Sequence, residues 1–584
     1  MKTIQFILLT LILFPLSFYA QTPPLLSKPK IRALTEEISG SVAKRNLEYL
    51  ARHHRMRGSR GYHEAAVFIE KQLKSYGLSD AEIKQYKADG EVYYGTQRSR
   101  PPWDVDFAEL WELKKTDDSW VQHVRLGSWD AMPVSVAQDS EIGKVTAELV
   151  DIGSGTSEED YAGKNLAGRL VLTSSQPGAV VPLAVKRYGA AGIISYAANQ
   201  RTAWWKENEN LVRWGHLNTF SDTPAFAFMV SLKQARAFQQ RLLRGEEIRL
   251  SAEVRAGKHE GFYEVVTATI PGADEELKKE EIVFSCHLDH QRPGSNDNAS
   301  GCVAILEVAR ALSKLIKEEK IDPPARTIRF VFPPEIEGTM ALFEGSPELP
   351  GRMKAAIHMD MVGGNPAKTK AIFHVTRGPM SLPSFTYDVA EVFGKFVNKQ
   401  SDTFASTGRS EYRLHSPEGG KEALLASLVD FTMGSDHQIY SEGSYRIPAI
   451  YMNDWPDRYI HTNFDTPANI DPTKLKRAGF IGATSGYYLA NLNAKHAPAL
   501  WELAKRQVLR RTAEMLKRRE ALTKDEADNL TRQHLRYERT QIRSMASFFN
   551  IPDNISAEAE TFFSGLESLV GGPNRRLKPK ATVF

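Results

Sequence analysis

The sequence predicts an α/β fold in which a mostly parallel mixed sheet is sandwiched by helices, with a β-rich inserted domain and a C-terminal helical extension. Between residues 256 and 495, apolar strands such as EEIVFSCHLD and ARTIRFVFPPE alternate with helical stretches such as GCVAILEVARALSKLIKE. Near-continuous apolar strands that alternate with helices are typical of a mostly parallel sheet covered on both faces. A set of shorter β-branched runs precedes this region, and a charged helical pattern follows it.

The chain begins with a pattern typical of an export signal. Residues 1–20 contain one lysine near the start, then an apolar run, and end on the small residue Ala20. This pattern predicts a signal peptide cleaved after Ala20, and the apolar run is short for a bilayer-spanning helix. We therefore expect an exported protein, periplasmic or extracellular, with no membrane anchor in its mature form.

Three further segments surround the 256–495 core. Residues 21–135 contain KRNLEYLARHH and YHEAAVFIEKQLKSYGL, whose apolar positions recur every three or four residues and predict amphipathic helices. Residues 136–255 contain KVTAELVDIG and GRLVLTSS, separated by Gly, Ser and Asp, which predict a β-rich insert. Residues 496–584 form a charged helical pattern that is solvated, packs on the core, or forms a homodimer through these helices.

Composition limits the classes of function. Hydrophobic content of 42% and charged content of 25% are typical of a folded soluble protein, and 584 residues require several structural units. A net charge of +4 over this length gives no indication of a nucleic-acid partner. The chain has two cysteines, Cys286 and Cys302, which excludes a disulfide scaffold. We expect them to be free thiols or one local bridge.

Histidine and acidic residues follow successive apolar strands of the core. They are His287 and Asp289 after one strand, Glu335 and Glu337 after the next, Asp360 after a third, His461 after a fourth, and Asp297 before a helix. Active sites of such sheets lie at the carboxyl ends of the strands, and imidazole and carboxylate groups are the usual zinc ligands. This set predicts a two-metal site in which Asp297 bridges both ions. Asp289, two residues from His287, is expected to orient that imidazole.

The motifs SCHLDH, SNDNASG, HMDMVGG and YIHTNFDT resemble the successive metal motifs of the co-catalytic zinc exopeptidases, of the bacterial leucyl aminopeptidase and glutamate carboxypeptidase type. The resemblance implies the zinc peptidase fold and two zinc ions. It implies that His287 and Asp360 bind one ion, that Asp297 binds both, and that a glutamate with His461 binds the other. The β-rich segment, with LAGRLVLTSS and AVKRYGAAGIISY, resembles the protease-associated domain that several members carry at the same place.

The chain departs from this family pattern at one motif. The family has two consecutive glutamates after the third strand, a general base and then a zinc ligand, followed two residues later by glycine. In FPPEIEGT, counting back from Gly338 makes Glu335 the base and puts Ile336 at the ligand position. Either Glu337 supplies the carboxylate and Glu335 is the base, which is the assignment adopted here, or the two exchange roles. A third alternative is that the second metal is weakly held or absent.

The expected activity is hydrolysis of peptides from one end. Glu335 is expected to take a proton from the attacking water, and Asp289 is the second residue expected to take part in catalysis. His437, in GSDHQIY, is expected to touch the peptide substrate. An aminopeptidase is favoured, since no arginine cluster clearly marks a carboxylate pocket. The alternatives are a carboxypeptidase, another metal-dependent amidohydrolase or acyltransferase of this fold, and a catalytically impaired binding relative.

Overall fold

The structure is a computed structural model that describes residues 22–117, 119–198 and 208–571. The predicted signal peptide, residues 1–20, lies outside the described residues. Within them, no helix combines the length and the apolar character that crossing a bilayer requires. The predicted fold class is confirmed, because helices cover a mixed sheet whose central strands are parallel.

The N-terminal part supplies helices and one edge of the main sheet. Its elements are α1 (Lys28–Glu37), α2 (Gly40–Leu50), α3 (Arg60–Ser75), β1 (Glu82–Ala88), β2 (Tyr93–Tyr94) and β3 (Gln97–Arg98). The side chains of Ser39 and Ser59 accept hydrogen bonds from the first turns of α2 and α3, which fixes where these helices begin. The two helices bury one apolar face each in the main hydrophobic core, so they belong to the same packed unit as the sheet.

A second sheet follows in the chain. Its region contains β4 (Trp103–Thr116), β5 (Ser119–Ser128), β6 (Gly143–Asp151), β7 (Leu170–Thr173), α4 (Pro177–Val181), β8 (Gly192–Ser195), β9 (Ala227–Met229), α5 (Leu232–Leu243) and β10 (Arg249–Lys258). Among the described residues, its seven strands lie in the order β5-β4-β10-β6-β7-β8-β9.

The second sheet draws on residues before position 136, where the sequence predicted its start. Strand β4 buries Trp103, Val105, Ala108 and Leu110, with more polar residues between them. Trp103 and Val105 are two residues apart, as are Ala108 and Leu110, which is the period of a strand with one buried face. The phase shifts between these two pairs, where the pairing with β10 is irregular, and this shift and the many charged residues obscure the pattern. The β-rich insert therefore includes the β4–β5 hairpin, and its relation to protease-associated domains stays a prediction.

The core contains most of the main sheet. Its elements are β11 (Gly261–Ile270), β12 (Glu281–Ser285), α6 (Gly301–Lys317), β13 (Thr327–Phe332), α7 (Glu337–Gly345), α8 (Leu349–Arg352), β14 (Met353–Asp360), α9 (Pro366–Thr369), β15 (Ile372–Thr376), α10 (Thr386–Thr407), β16 (Ser427–Val429), α11 (His437–Ser441), β17 (Ala449–Trp455) and α12 (Pro472–Ala490). Among the described residues, eight strands lie in the order β1-β11-β13-β12-β14-β17-β15-β16. Strands β13, β12, β14 and β17 run parallel, so their carboxyl ends meet at one edge.

Three C-terminal helices pack on this core. They are α13 (Ala497–Arg519), α14 (Lys524–Arg543) and α15 (Asp553–Leu569). Leu500, Trp501 and Phe563 are buried in the same hydrophobic cluster as the main sheet. Of the three roles considered for the charged helical segment, packing on the core is the one seen within the chain. The homodimer stays a prediction.

Candidate metal centre

The chemistry-bearing side chains lie where the parallel strands end. His287 follows β12, Glu335 follows β13, Asp360 ends β14, His461 follows β17, and Asp297 lies in the turn before α6. Because these strands are neighbours in the sheet, residues far apart in the chain arrive at one edge. The structure brings His287, Asp297, Asp360 and His461 into two adjoining clusters that could hold metal ions.

The first cluster consists of His287, Asp297 and Asp360, all of them buried. His287 Nε2 lies 3.3 Å from an oxygen of Asp297 and 3.4 Å from an oxygen of Asp360. The other ring nitrogen, Nδ1, lies 3.0 Å from the carbonyl oxygen of Asp289. Since a carbonyl oxygen can only accept, Nδ1 carries a proton, which leaves Nε2 as the nitrogen that faces the two carboxylates. Burial opposes protonation of the ring, but Asp360 and then Glu335 raise the pKa of His287 above its ordinary value, and a bound cation would take the place of the proton on Nε2.

The second cluster consists of His290, Asp297 and His461. His461 Nε2 lies 2.9 Å from Asp297 Oδ2, and His290 Nε2 lies 3.2 Å from the same oxygen. The first cluster uses the other oxygen, Asp297 Oδ1. One carboxylate thus presents one oxygen to each cluster, which is the arrangement that a residue bridging two cations requires.

Asp465 holds the turn that carries Asp297. Its two carboxylate oxygens accept hydrogen bonds from the backbone N–H groups of Asn296, at 2.7 Å, and Asp297, at 3.1 Å. The peptide bond between Asp297 and Asn298 is cis. Burial alone would raise the pKa of Asp297, but His290, His287 and His461 hold it well below its ordinary value. The bridging carboxylate is therefore ionised and fixed in place.

Asp289 joins this centre to a buried arginine. Its carboxylate lies 3.0 Å from Arg57 and accepts a hydrogen bond of 2.6 Å from the backbone N–H of Glu335. Burial opposes ionisation of Asp289, but Arg57 and then His287 hold its pKa below the usual range. Asp289 thus lies between His287 and the start of the Glu335 loop, and it touches both.

Glu337 lies outside both clusters. Its carboxylate is 2.5 Å from Arg57 and 3.2 Å from Arg100. The sequence left open which of Glu335 and Glu337 binds metal, because it gave no indication that these arginines, from the N-terminal part of the chain, lie beside Glu337. The structure therefore places Glu337 in an ion pair and leaves it without a position in the second cluster.

Glu335 is partly buried beside the first cluster. Burial raises the pKa of Glu335 to about 8, the charge of His287 opposes this increase, and Asp360 adds to it. The next residue, Ile336, has a φ of 63° and its backbone N–H donates to Asp436. In this anchored turn, Glu335 lies beside the first cluster, whereas the side chain of Ile336 packs against an apolar cluster.

Two other side chains complete the surroundings. Trp214, from the β-rich insert, has its ring centroid 5.1 Å from the rings of both His290 and His461. The backbone N–H of Trp214 donates to the carbonyl oxygen of His461 at 2.8 Å. His437, expected to touch substrate, is fully buried; it stacks on Tyr451 at 3.9 Å, and its Nε2 contacts the Thr432 carbonyl oxygen at 2.7 Å. The structure does not expose His437 to a substrate.

Comparison with known proteins identifies a family that the core of the chain matches. Residues 265–485, from β11 to α12, match peptidase family M28. We call this matching stretch the M28 domain. The match confirms the resemblance read from the metal motifs, and all residues of the two clusters lie inside the M28 domain.

Relatives of the M28 domain include two fungal proteins, each named "Probable leucine aminopeptidase", from Arthroderma benhamiae and Trichophyton verrucosum. Each is 24% identical over 253 residues, which cover 41% of this chain and 61% of the relative. The chain thus spans about three fifths of the length of these curated relatives.

Solved structures share the fold. A zinc aminopeptidase from Bacillus subtilis has a TM-score of 0.51 and 16% identity, with 77% of this chain and 95% of that chain covered. A peptidase M28 precursor from Shewanella amazonensis has the same TM-score and identity, with 79% and 96% covered.

The residues at the centre of the M28 domain fit divalent metal ions. Three buried polar atoms there have no hydrogen-bond partner, namely His287 Nε2, His290 Nε2 and Asp360 Oδ1. Buried polar atoms without partners are costly, and these three face each other across the two clusters. Imidazole nitrogen and carboxylate oxygen are the donor types that zinc takes. Divalent metal ions bound at the two clusters would relieve this cost.

The sequence analysis did not identify three residues that lie at or against the two clusters, namely His290, Asp465 and Trp214. His290 was within the quoted motif SCHLDH, and its place directly after Asp289 was the available signal. Asp465 was likewise within YIHTNFDT. Trp214 gave no signal, because its proximity to the centre depends on how the insert lies over the M28 domain.

The two cysteines lie behind His287. Cys286 and Cys302 are buried free thiols with their sulfur atoms 3.0 Å apart. The Cys302 thiol donates to the carbonyl oxygen of His287 at 3.0 Å. They belong to neither of the two metal clusters, so thiolate ligation plays no part in the geometry described above.

Proposed function

We propose that this chain is an exported, zinc-dependent exopeptidase that removes residues from the N-terminus of peptides. The observation that carries the proposal is the pair of clusters that share Asp297, with Glu335 beside them, inside an M28 domain. His287 and Asp360 would hold one ion, His461 would help to hold the other, and Asp297 would bridge the two.

Different residues would have different roles in hydrolysis. Ions bound at such a centre supply Lewis acidity, which activates water and polarises the scissile carbonyl group. Glu335 would accept the proton of the attacking water and return it to the leaving amine. A cation beside Glu335 stabilises its carboxylate form and so lowers the pKa from about 8 toward neutrality. Asp289 would position this base, since it accepts the backbone N–H of Glu335 and is itself held by Arg57.

A pocket next to the base supports a preference for an apolar side chain. Its volume is about 480 Å³, and its lining combines apolar side chains with polar ones; the apolar side chains include Ile336, Met340, Phe431 and Met433, and the polar ones include Gln97, Gln438 and Glu442. Ile336, which directly follows Glu335 in the chain, lines this pocket, so a substrate residue bound there would adjoin the loop that carries the proposed base. The names of the fungal relatives agree with this preference, and leucine is therefore the first residue to test.

Export and zinc are the finer parts of the proposal. Export is supported by the signal pattern of residues 1–20, with a location in the periplasm or outside the cell. Zinc is supported by the mixed imidazole and carboxylate donors, which suit this ion.

The proposal is tested with three fluorogenic substrates and a chelator. We expect the purified protein to hydrolyse leucyl-aminomethylcoumarin and to leave its N-acetylated form intact. A peptide blocked at the N-terminus but free at the C-terminus distinguishes a carboxypeptidase and should also remain intact. Treatment with 1,10-phenanthroline should abolish hydrolysis, and added Zn²⁺ should restore it. Cleavage of only the acetylated or blocked substrates, or full activity after complete zinc removal, would contradict the proposal.

A further inference from the structure

We propose that His290 replaces the missing glutamate as the ligand of the second zinc ion, so that this site consists of His290, Asp297 and His461. The inference rests on the proposed function, because it assigns the second half of the same two-metal centre. It also accounts for the departure at Ile336 without requiring the loss of a metal.

The first support is the position of the His290 ring. Its Nε2 lies 3.2 Å from Asp297 Oδ2, and His461 Nε2 lies 2.9 Å from that oxygen. The donor atoms of the three residues all lie within 4.8 Å of one another, as three ligands of one ion must. The two imidazole rings are 5.4 Å apart, so both can reach a common point.

The second support is the tautomer and the unsatisfied nitrogen. His290 Nδ1 lies 3.1 Å from the carbonyl oxygen of Gln291, which can only accept, so this nitrogen carries the proton. His290 Nε2 is then the nitrogen that faces Asp297; it is buried and has no hydrogen-bond partner. With 3% of the residue exposed, water does not compensate for this. A bound cation does.

The third support is that the backbone of His290 is fixed. Its N–H donates to the carbonyl oxygen of Arg55 at 3.0 Å, and its carbonyl oxygen accepts from the Arg55 N–H at 2.8 Å. The Arg55 side chain is fully buried and donates to the carbonyl oxygens of Leu288 and Gly294, on either side of His290. A ligand held in this way loses little conformational entropy when it binds a metal.

The alternative ligands are occupied elsewhere. Glu337 is paired with Arg57 and Arg100. Ile336, at the position that the family pattern gives to the ligand, has an apolar side chain that packs against another cluster. His290 therefore reaches the second site from the loop after β12, instead of a glutamate reaching it from the loop after β13.

The replacement changes the character of the site. A neutral imidazole in place of a carboxylate leaves Asp297 as the single negative charge among the three ligands. Imidazole suits zinc, whereas carboxylate ligands suit magnesium and manganese. The second site should consequently bind zinc in preference to manganese.

The test compares zinc content in two matched variants. We expect the wild-type protein to hold two zinc ions per chain by mass spectrometry of the metal, after dialysis against buffered zinc. His290→Ala should hold one, and Glu337→Gln, which alters the alternative ligand, should still hold two. Two ions in His290→Ala, or the loss of one in Glu337→Gln, would overturn the assignment.

A second measurement requires no variant. Crystals of the zinc-loaded wild-type protein, measured at the zinc absorption edge, should show a second anomalous peak about 2.0–2.1 Å from His290 Nε2. A second peak bound by Glu337, or a single peak at the first cluster, would reject the inference. Peptide hydrolysis is assayed separately, so a protein with two zinc ions on these ligands but no activity would contradict the proposed function alone.

Discussion

The carboxyl groups around the centre differ in charge because their neighbours differ. Asp289 is buried, but Arg57 and His287 keep its pKa low. In the described part of the chain no arginine lies within hydrogen-bonding distance of the Glu335 carboxylate, and burial raises its pKa to about 8. Neighbouring acids whose pKa values are pushed apart are suited to different tasks. Asp289 is suited to hold other groups, and Glu335 is suited to move a proton.

The difference in pKa between Asp289 and Glu335 predicts the effect of replacing the Glu335 carboxylate by an amide. Glu335→Gln should lower kcat for leucyl-aminomethylcoumarin by about 10²–10⁴-fold, because an amide cannot accept the proton of water. KM and zinc content should change little. Glu348→Gln is the control, since Glu348 is exposed, and it should keep wild-type activity. A loss of zinc from Glu335→Gln would show instead that Glu335 is a ligand.

At the level of single elements, the start of α6 determines how closely the metal-binding turn approaches β14. A Cβ atom added to Gly301 would lie 2.1 Å from the Met359 carbonyl oxygen. The Asn298 side chain accepts hydrogen bonds from the N–H groups of Gly301 and Met361 across this narrow gap. The absence of a side chain at position 301 therefore lets Asp297 and Asp360 share one site.

We predict opposite effects of the same substitution in two helices. Gly301→Ala should lower the free energy of unfolding by about 1–3 kcal/mol, because backbone atoms must move apart. Gly565→Ala in α15, where the added Cβ meets nothing within 4 Å, should raise it by about 0.5–1 kcal/mol. Urea denaturation measures both. Equal stability of the two variants would contradict the close approach of α6 to β14.

At the level of the whole molecule, buried ion pairs attach the C-terminal helices to the core. Arg511 of α13 donates to Asp388 of α10 at 2.6 Å and to Glu538 of α14 at 2.7 Å. Arg377, at the end of β15, also pairs with Asp388 at 2.8 Å. Burial raises the pKa of Glu538, so its ionised form depends on Arg511. Some of the charged residues of the C-terminal helices therefore form buried ion pairs and are not solvated.

Substituting the buried arginine Arg511 should reduce stability much more than substituting an exposed arginine of the same helix. Arg511→Ala should lower the free energy of unfolding by about 3–5 kcal/mol, because Glu538 and Asp388 lose a buried partner. Arg518→Ala, at an exposed position of the same helix, should change it by less than about 0.5 kcal/mol. Chemical denaturation followed by circular dichroism provides the measurement. A similarly small effect at both positions would mean that the helices are held by apolar contacts alone.

The sequence predicted those features that depend on local patterns. Strand periodicity and the residues directly after each strand indicated the parallel sheet and placed His287, Asp297, Asp360 and His461 at one edge. These residues follow from the rule that parallel strands end together, and no knowledge of side-chain contacts is required.

The tertiary structure decided which side chains meet. Glu337 was predicted to be a ligand, but Arg57, from the loop between α2 and α3, pairs with it. His290 looked like an ordinary neighbour of Asp289 until the fold brought it within 3.2 Å of Asp297. Trp214 contacts both histidines from the connection between β8 and β9 of the β-rich insert. Spacing along the chain fixes which strand end a residue occupies, but the contacts of a side chain depend on segments distant in sequence that packing alone brings together.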